Sequence, residues 1–420
     1  LGRWLPAISI LWLAACSNFR HLGTDLEALE STVTVEGEVQ VLNDVGKPIQ
    51  VVAGLVPTDP AEPIVVRRAV RKPVAGPYIL RLEPGRYWIA AFEDENEDDA
   101  FQDGERGQLL GPMIIKGTRV RGPKIVIEKP FVRGKDLSER PTINSFKFAI
   151  GVKADLKDER FGQEPARKGL WQPLLYAREN EPGLYFLQPY DPALVPVIFV
   201  HGMSGYPQEF KSLIERLDNK RFQPWVFMYP SGYELKTIGK FLHYLVSRVS
   251  DERQFQSLCM VAHSMGGLVA REFLNQHQAE RPQNTVRALV TINSPLGGMA
   301  SASWGVRMAP KVVPSWYDIA PDSDFLRDLY KTPLSDAVEY HMLFGFDDSG
   351  ETDGVVPLLS QLRVEAQGEA EQVRGYRDTH TGALRADAVA AQVLRALDRC
   401  AGQKDLSMGA PRPAEPGVAR

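Results

Sequence analysis

VAHSMGGLVA, residues 261–270, decides how the second half of this chain is read. The apolar run QSLCMVA leads into it and LVAREFL, with helical periodicity, leads out. That pattern is strand, very tight turn, helix. One hydroxyl, Ser264, stands at the turn, and two glycines follow almost at once. A sharp turn lifts such a hydroxyl off the carboxyl edge of a sheet, and small neighbours let the next helix start close against the strands. The N-terminus of that helix also favours developing negative charge.

Working outward, strands and helices alternate from Val195 onward: VPVIFV, EFKSLIERLD, PWVFMYP, LKTIGKFLHYLVSRV, SLCMVA, GLVAREFLNQH, VRALVTINSP and VEYHMLFGF. Alternation of this kind argues for a mostly parallel sheet covered on both faces, an α/β class. A serine alone is a poor nucleophile and needs a base oriented by an acid. His380 lies in a loop just before the last helix, and Asp353 in a loop just past a strand end. Asp347, Asp348 and Asp378 are rival acids; Asp378, two residues before His380, has the spacing of a turn cap.

VIFVHG, AHSMGG, INSPLGG, TDGVV and DTHTGAL occur in that order. Together they resemble an α/β-hydrolase of the serine lipase/esterase type, over residues 195–400. The family's Gly-x-Ser-x-Gly elbow is met by Ala262-His263-Ser264-Met265-Gly266, with alanine replacing the first glycine. The resemblance implies the order nucleophile, acid, base, hence Ser264, Asp353, His380. It also implies an oxyanion hole built from the Met265 amide and the amide of Met203, which follows the His201-Gly202 pair. His201 is expected to hold that loop and His263 to be a packing neighbour. No cofactor is required by such chemistry. Residues 299–335 interrupt the alternation and read either as a lid or acyl-binding wall or as an ordinary buried excursion.

The first half has a different rhythm. From Thr32 to about residue 130, short alternating strands with turn punctuation predict a small all-β sandwich: VTVEGEVQVL, PIQVVAGLV, a hairpin around Glu83-Pro84-Gly85, PMIIKG and KIVIEK. It resembles, with low specificity, the immunoglobulin-like or transthyretin-like modules attached to many secreted enzymes. Residues 131–183 read as linker and leading segments, and residues 184–402 as the hydrolase domain. The proline-rich tail 403–420 is expected to be disordered. Asp94, Asn96, Asp98, Gln102 and Glu105 have the spacing of a twelve-residue calcium loop, although Asp99 stands where a glycine is expected. A structural calcium ion and a solvated acidic hairpin tip are both open readings.

A net charge of −4 with scattered basic residues leaves no footprint for nucleic acid. LGRWLPAISILWLAAC is too short to span a bilayer and reads as a signal peptide over residues 1–15. Its end resembles the lipobox of bacterial lipoproteins, which implies a lipidated (palmitate-bearing) Cys16, a tether over residues 16–31, and a membrane-anchored protein of the bacterial cell envelope, facing the periplasm or exterior from the outer membrane. Cys259, inside an apolar strand, reads as a buried inert thiol, and with Cys400 alone it makes no disulfide framework. The expectation is a serine hydrolase acting on a lipid or other acyl ester. Thioesterase, amidase or acyltransferase activity would use the same triad, and a non-catalytic binding protein would use the fold as a scaffold.

Overall fold

The computed structural model describes residues 17–27, 32–44, 46–59, 65–72, 75–95, 104–130, 148–280 and 284–402. Cys16, Asn96 and Asp98 lie outside these residues, as do the signal peptide and the tail. The described chain divides into two units. One takes the residues up to Phe148 together with Trp171–Pro182; the other takes Ala149–Leu170 and everything from Gly183.

The first unit holds seven strands: β1 Val33–Val41, β2 Ile49–Leu55, β3 Val65–Lys72, β4 Gly76–Leu82, β5 Gly85–Glu93, β6 Gly107–Ile115 and β7 Arg119–Ile127. They form two sheets, in the orders β4-β1-β7 and β3-β2-β5-β6. Alternation in the sequence becomes alternation in space. In β4, Tyr78, Leu80 and Leu82 point into the core while Ile79 and Arg81 face out. Those side chains pack against Val35 of β1 and against Tyr87, Ile89 and Ala91 of the other sheet. The expected hairpin at Glu83-Pro84-Gly85 is not one: β4 pairs with β1 and β5 with β2 and β6, so the turn crosses between sheets. Both segments have the same alternation, which fixes their inner faces but not their partners. The β5–β6 connection carries the acidic run. Within it Asp94 is fully buried beside Gln50, and Glu105 accepts from the Glu95 amide at 3.1 Å. Among the described residues, no group of three or more His, Cys, Asp or Glu could hold a metal ion.

Helix α1 covers residues 17–27, α2 Gln163–Trp171 and α3 Pro173–Glu179. In the first unit the buried Asp25 carboxylate accepts from the Leu174 and Leu175 amides at 2.8 and 3.0 Å, capping α3.

The second unit is built on eight strands: β8 Ala149–Lys153, β9 Gly183–Phe186, β10 Val195–Val200, β11 Phe222–Met228, β12 Ser257–His263, β13 Thr285–Ile292, β14 Glu339–Phe346 and β15 Gln372–Arg377. Their order is β15-β14-β13-β12-β10-β11-β9-β8. The six strands from β10 to β15 are parallel, whereas β9 runs antiparallel to β11 and β8 runs with β9. β8 and α2 belong to this unit, so it begins upstream of the boundary at 184. The short strand AIGVK, set among polar residues, carries no alternation long enough to reveal its partner. The expected helix EFKSLIERLD is a 3₁₀ turn, Pro207–Phe210, followed by a single turn, α4 Lys211–Ile214. The layers over the sheet include α5 Leu235–Arg253 and α6 Gly266–Glu280. Residues 299–335 fold as three short helices, α7 Ala300–Met308, α8 Pro314–Ile319 and α9 Asp324–Leu329. Val313, Phe325, Leu326 and Leu329 are buried there, while Trp304 and Met308 are exposed. Helices α10 Leu358–Gln361, α11 Val364–Glu369 and α12 Asp387–Gly402 complete the unit.

Cys259 is not a free thiol. It is bonded to Cys400 of α12, with Cα atoms 6.5 Å apart. Both are buried, one in a central strand and one in the last helix, and 141 residues of sequence hid their proximity.

Candidate active site

The turn after β12 has the geometry that its small residues require. Ser264 adopts φ 55°, a left-handed conformation costly for any residue with a Cβ. Its amide donates to the Ile292 carbonyl of β13 at 2.9 Å, and its carbonyl accepts from Gly267 at 3.0 Å as α6 begins. A Cβ on Gly266 would collide with the Val200 and His201 carbonyl oxygens, and one on Gly267 with the Ser294 hydroxyl. Backbone atoms cannot step aside, so α6 can start this close to the sheet only on glycine. A Cβ at Gly202 would lie 2.7 Å from the Ser264 Cβ, which places the loop after β10 directly over the serine.

Asp353 and His380 meet at the same carboxyl edge. The His380 Nδ1 lies 2.7 Å from Asp353 Oδ2, and the His380 amide donates to the Asp353 carbonyl at 2.9 Å. Asp353 is 1% exposed and its other oxygen accepts from the Val355 and Val356 amides at 2.9 and 2.7 Å. The buried Gln361 clamps this loop to β14, donating to the Gly345 and Val356 carbonyls and accepting from the Gly345 amide, each at 3.0 Å. None of the rival acids approaches His380 in this way. Asp347 binds Ser349 within its own turn, Asp348 pairs with Arg377, and Asp378 accepts from the Thr379 amide.

Two residues do more than their sequence context suggested. The His380 carbonyl accepts from Asn293 Nδ2 at 3.0 Å and from His263 Nε2 at 2.9 Å. Burial, reinforced by the neighbouring His380, pushes the His263 imidazole down to about 3, so it is neutral near pH 7. Its Nε2 then carries the proton, because the partner is a carbonyl. Asn293 sits at φ 51° at the end of β13, where INSP breaks the strand; that left-handed break was its only signal.

The loop after β10 is held from below. His201 Nδ1 is 2.9 Å from the Gly202 carbonyl, and its ring stacks on Tyr229 at 4.1 Å. The Tyr229 hydroxyl donates to the His201 carbonyl. Burial holds His201 down at about 4 despite the Gly202 bond, so it too is neutral and structural. Gly205 donates to the Gly202 carbonyl at 3.1 Å, and Ser204, at φ 52°, donates to Ser231 Oγ at 3.0 Å. Among the described residues neither the Met203 nor the Met265 amide has an acceptor. Two N–H groups are thus left on the two loops that flank Ser264. A further group, unnoticed in the sequence, is Glu209, whose Oε2 accepts from the Tyr206 amide at 3.4 Å. Burial pushes its carboxyl up to about 7, with the Tyr206 bond and the charges of His380 and Arg385 pulling it back.

Residues 226–303, from β11 through the elbow into α7, match the PGAP1-like alpha/beta domain. The larger unit is an α/β-hydrolase fold. A curated relative, lecithin-cholesterol acyltransferase-like 1 of Arabidopsis thaliana, is 26% identical over 167 residues, covering 33% of this chain and 38% of that protein. The chain therefore spans about two fifths of the length of the relative it matches. Among solved structures, a gene product of Listeria innocua is similar at 18% identity and a TM-score of 0.39, over 50% of this chain and 96% of that one. The mature lipase BlEst2 of Bacillus licheniformis is similar at 16% identity and a TM-score of 0.42, over 51% and 97%. Hydrolase folds of the lipase/esterase type work without a cofactor.

Proposed function

We propose that the hydrolase-fold unit is a serine carboxylic-ester hydrolase that works through an acyl-enzyme. The observation that supports this reading is the buried Asp353–His380 pair at 2.7 Å, on the sheet edge where Ser264 stands in its left-handed turn. With Nδ1–H donated to Asp353, the His380 Nε2 lone pair is left to act as base. Ser264 Oγ attacks the acyl carbonyl while His380 takes its proton. The oxyanion is held by the Met203 and Met265 amides, which need no reorganisation to meet it. Collapse expels the alcohol, protonated by His380. Water then attacks the acyl-enzyme with the same base, releasing the acid and regenerating Ser264.

A second reading has one observation in its favour: the matched relative is named an acyltransferase-like protein. The same acyl-enzyme would then be resolved by an alcohol in place of water. Membrane anchoring through Cys16 is also part of the proposal. Its support is the LAAC sequence together with the Cys259–Cys400 disulfide, a bond that persists in oxidising compartments such as the periplasm. The deciding experiment is labelling with a fluorophosphonate probe alongside turnover of acyl esters of rising chain length, with and without an added alcohol. Labelling lost in Ser264→Ala, with free acid as product, is expected; undiminished labelling of that variant would refute the assignment.

A further inference from the structure

Helix α7 presents an outer face that the ester chemistry does not use. Ala300, Ser301, Trp304, Arg307 and Met308 are exposed, at the spacing of one helical stripe, while Ala302 and Gly305 face inward. The inward side is closely seated, since a Cβ on Gly305 would lie 2.8 Å from the Trp316 ring of α8. That seating fixes which way the helix faces. Trp304 and Met308 are each 63% exposed. Single exposed apolar residues are ordinary on a protein surface, but a tryptophan and a methionine one turn apart form a patch.

A second exposed apolar element is bonded to the segment that leads into α7. The Gly297 amide donates to the Ser360 carbonyl of α10 at 2.7 Å, and the Ser360 hydroxyl donates to the Gly298 carbonyl at 2.5 Å. Leu359, beside Ser360, is 89% exposed, and Val355, two residues after Asp353, is exposed as well. Both segments rise from the carboxyl edge of the sheet. α7 follows Asn293 at the end of β13, and α10 follows the Asp353 loop. The exposed apolar side chains therefore belong to two linked segments on the edge where Ser264 stands.

Charge says what covers this face. No Asp or Glu occurs between Glu280 and Asp318, whereas Arg307 stands on the same stripe as Trp304 and Met308. Arg307 has no carboxylate partner among the described residues. In a chain whose net charge is −4, this stretch is locally positive. A nine-residue helix is about 14 Å long, and one side of it falls short of the roughly 1,000 Å² that a stable protein–protein interface buries. An anionic bilayer surface fits better, because it offers apolar depth and negative head groups together. There the Trp304 indole lies at head-group level, Met308 reaches the acyl region, and Arg307 meets the phosphates.

We propose that the outer stripe of α7, with Leu359 of α10, docks the second unit on an anionic lipid surface and turns the Ser264 edge toward it. The docking stands apart from the ester-hydrolase reading; the substrate it implies, a lipid ester taken from that surface, rests on that reading. The full chain with Cys16→Ser and Ser301→Cys holds one accessible thiol, because Cys259 and Cys400 are buried and bonded to each other. A polarity-sensitive fluorophore on that thiol reads whether the stripe enters lipid. Phosphatidylglycerol vesicles should brighten and blue-shift its emission, and phosphatidylcholine vesicles should do so much less. The same fluorophore on Asn219→Cys, exposed at the opposite edge before β11, should not respond. Trp304→Ser should weaken vesicle binding at least about tenfold, and Arg307→Gln about fivefold at low salt. Both side chains are exposed, so neither substitution removes a core contact, and turnover of a soluble ester should be unchanged. Ser264→Ala should keep the response, which separates loss of docking from loss of chemistry. A phosphatidylglycerol response that weakens in Trp304→Ser and Arg307→Gln upholds the surface. No response, an equal response to both lipids, or a response untouched by both substitutions overturns it. A concentration-dependent shift without vesicles would assign the face to a second copy of the chain, and overturns it too.

Discussion

Asp353→Asn is the substitution whose consequence the hydrogen bonds determine most closely. Oδ1 of Asp353 accepts from two amides, Val355 and Val356 at 2.9 and 2.7 Å, while Oδ2 faces His380 Nδ1 at 2.7 Å. An asparagine has one acceptor oxygen. Two backbone donors on one side fix that oxygen at the Oδ1 position, so the NH₂ group is forced toward His380. Nδ1 must then be the acceptor and the proton must move to Nε2, the atom that should take the proton of Ser264. The fold is kept and the base is lost. In a serine-protease triad the corresponding exchange costs about 10⁴ in turnover number, through the wrong tautomer. A loss of the same order, about 5 kcal/mol of transition-state stabilisation, is expected here. Steady-state hydrolysis of a soluble chromogenic ester measures it, with thermal melts to show that the variant folds. Asp347→Asn, Asp348→Asn and Asp378→Asn, whose side chains serve their own turns or Arg377, are controls expected to stay within a few-fold of wild type. Turnover of Asp353→Asn within about tenfold of wild type, or a larger loss in any control, would refute the reasoning.

Two further outcomes rest on the disulfide and on a buried carboxyl. The Cys259–Cys400 bond closes a loop with a sequence separation of 141, for which the chain-entropy relation gives about 5 kcal/mol. Urea denaturation of Cys400→Ser should show a loss approaching that figure, and equal midpoints for oxidised wild type and the variant would mean that the bond carries no stability. Glu209, moved by burial from 4.5 to about 7, binds its proton more tightly folded than unfolded, so its contribution falls as pH rises through that window. Glu209→Gln should gain about 1–3 kcal/mol on wild type between pH 5 and pH 8.5. A difference independent of pH would show that the carboxyl is not desolvated.

What the sequence disclosed was what is written in local pattern. Ser264 was legible because strand, serine, glycines and helix are adjacent in the chain, and the left-handed turn is a consequence of those neighbours. Asp353 and His380 were legible because each sits in a loop at the end of a strand, and parallel strands bring such ends to one edge. Pairings between distant segments were not. Nothing in β4 and β5 tells that their shared turn crosses between sheets, and nothing in LCMVA or LDRCAG tells that Cys259 and Cys400 meet. The buried polar neighbours were hidden for the same reason: Asn293 and Gln361 act through backbone atoms far away in sequence, and backbone acceptors leave no trace in residue identity.

Those neighbours also explain how three separate loops can hold Ser264, Asp353 and His380 in the arrangement that the proposed acyl transfer needs. The His380 carbonyl is gripped by His263, the residue immediately before the nucleophile, and by Asn293, at the end of the strand that also receives the Ser264 amide through Ile292. His380 is therefore tied to the strand that leads into Ser264 and to its neighbour, and not only to Asp353. Burial pushes His263 down to about 3, so this bond is made by a neutral imidazole donating from Nε2. Movement of the elbow would carry His263, and with it the backbone of His380. The Asp353 loop is locked independently, by Gln361 onto β14. Orientation of the imidazole and placement of its backbone thus depend on different residues, and the two functions can be impaired separately.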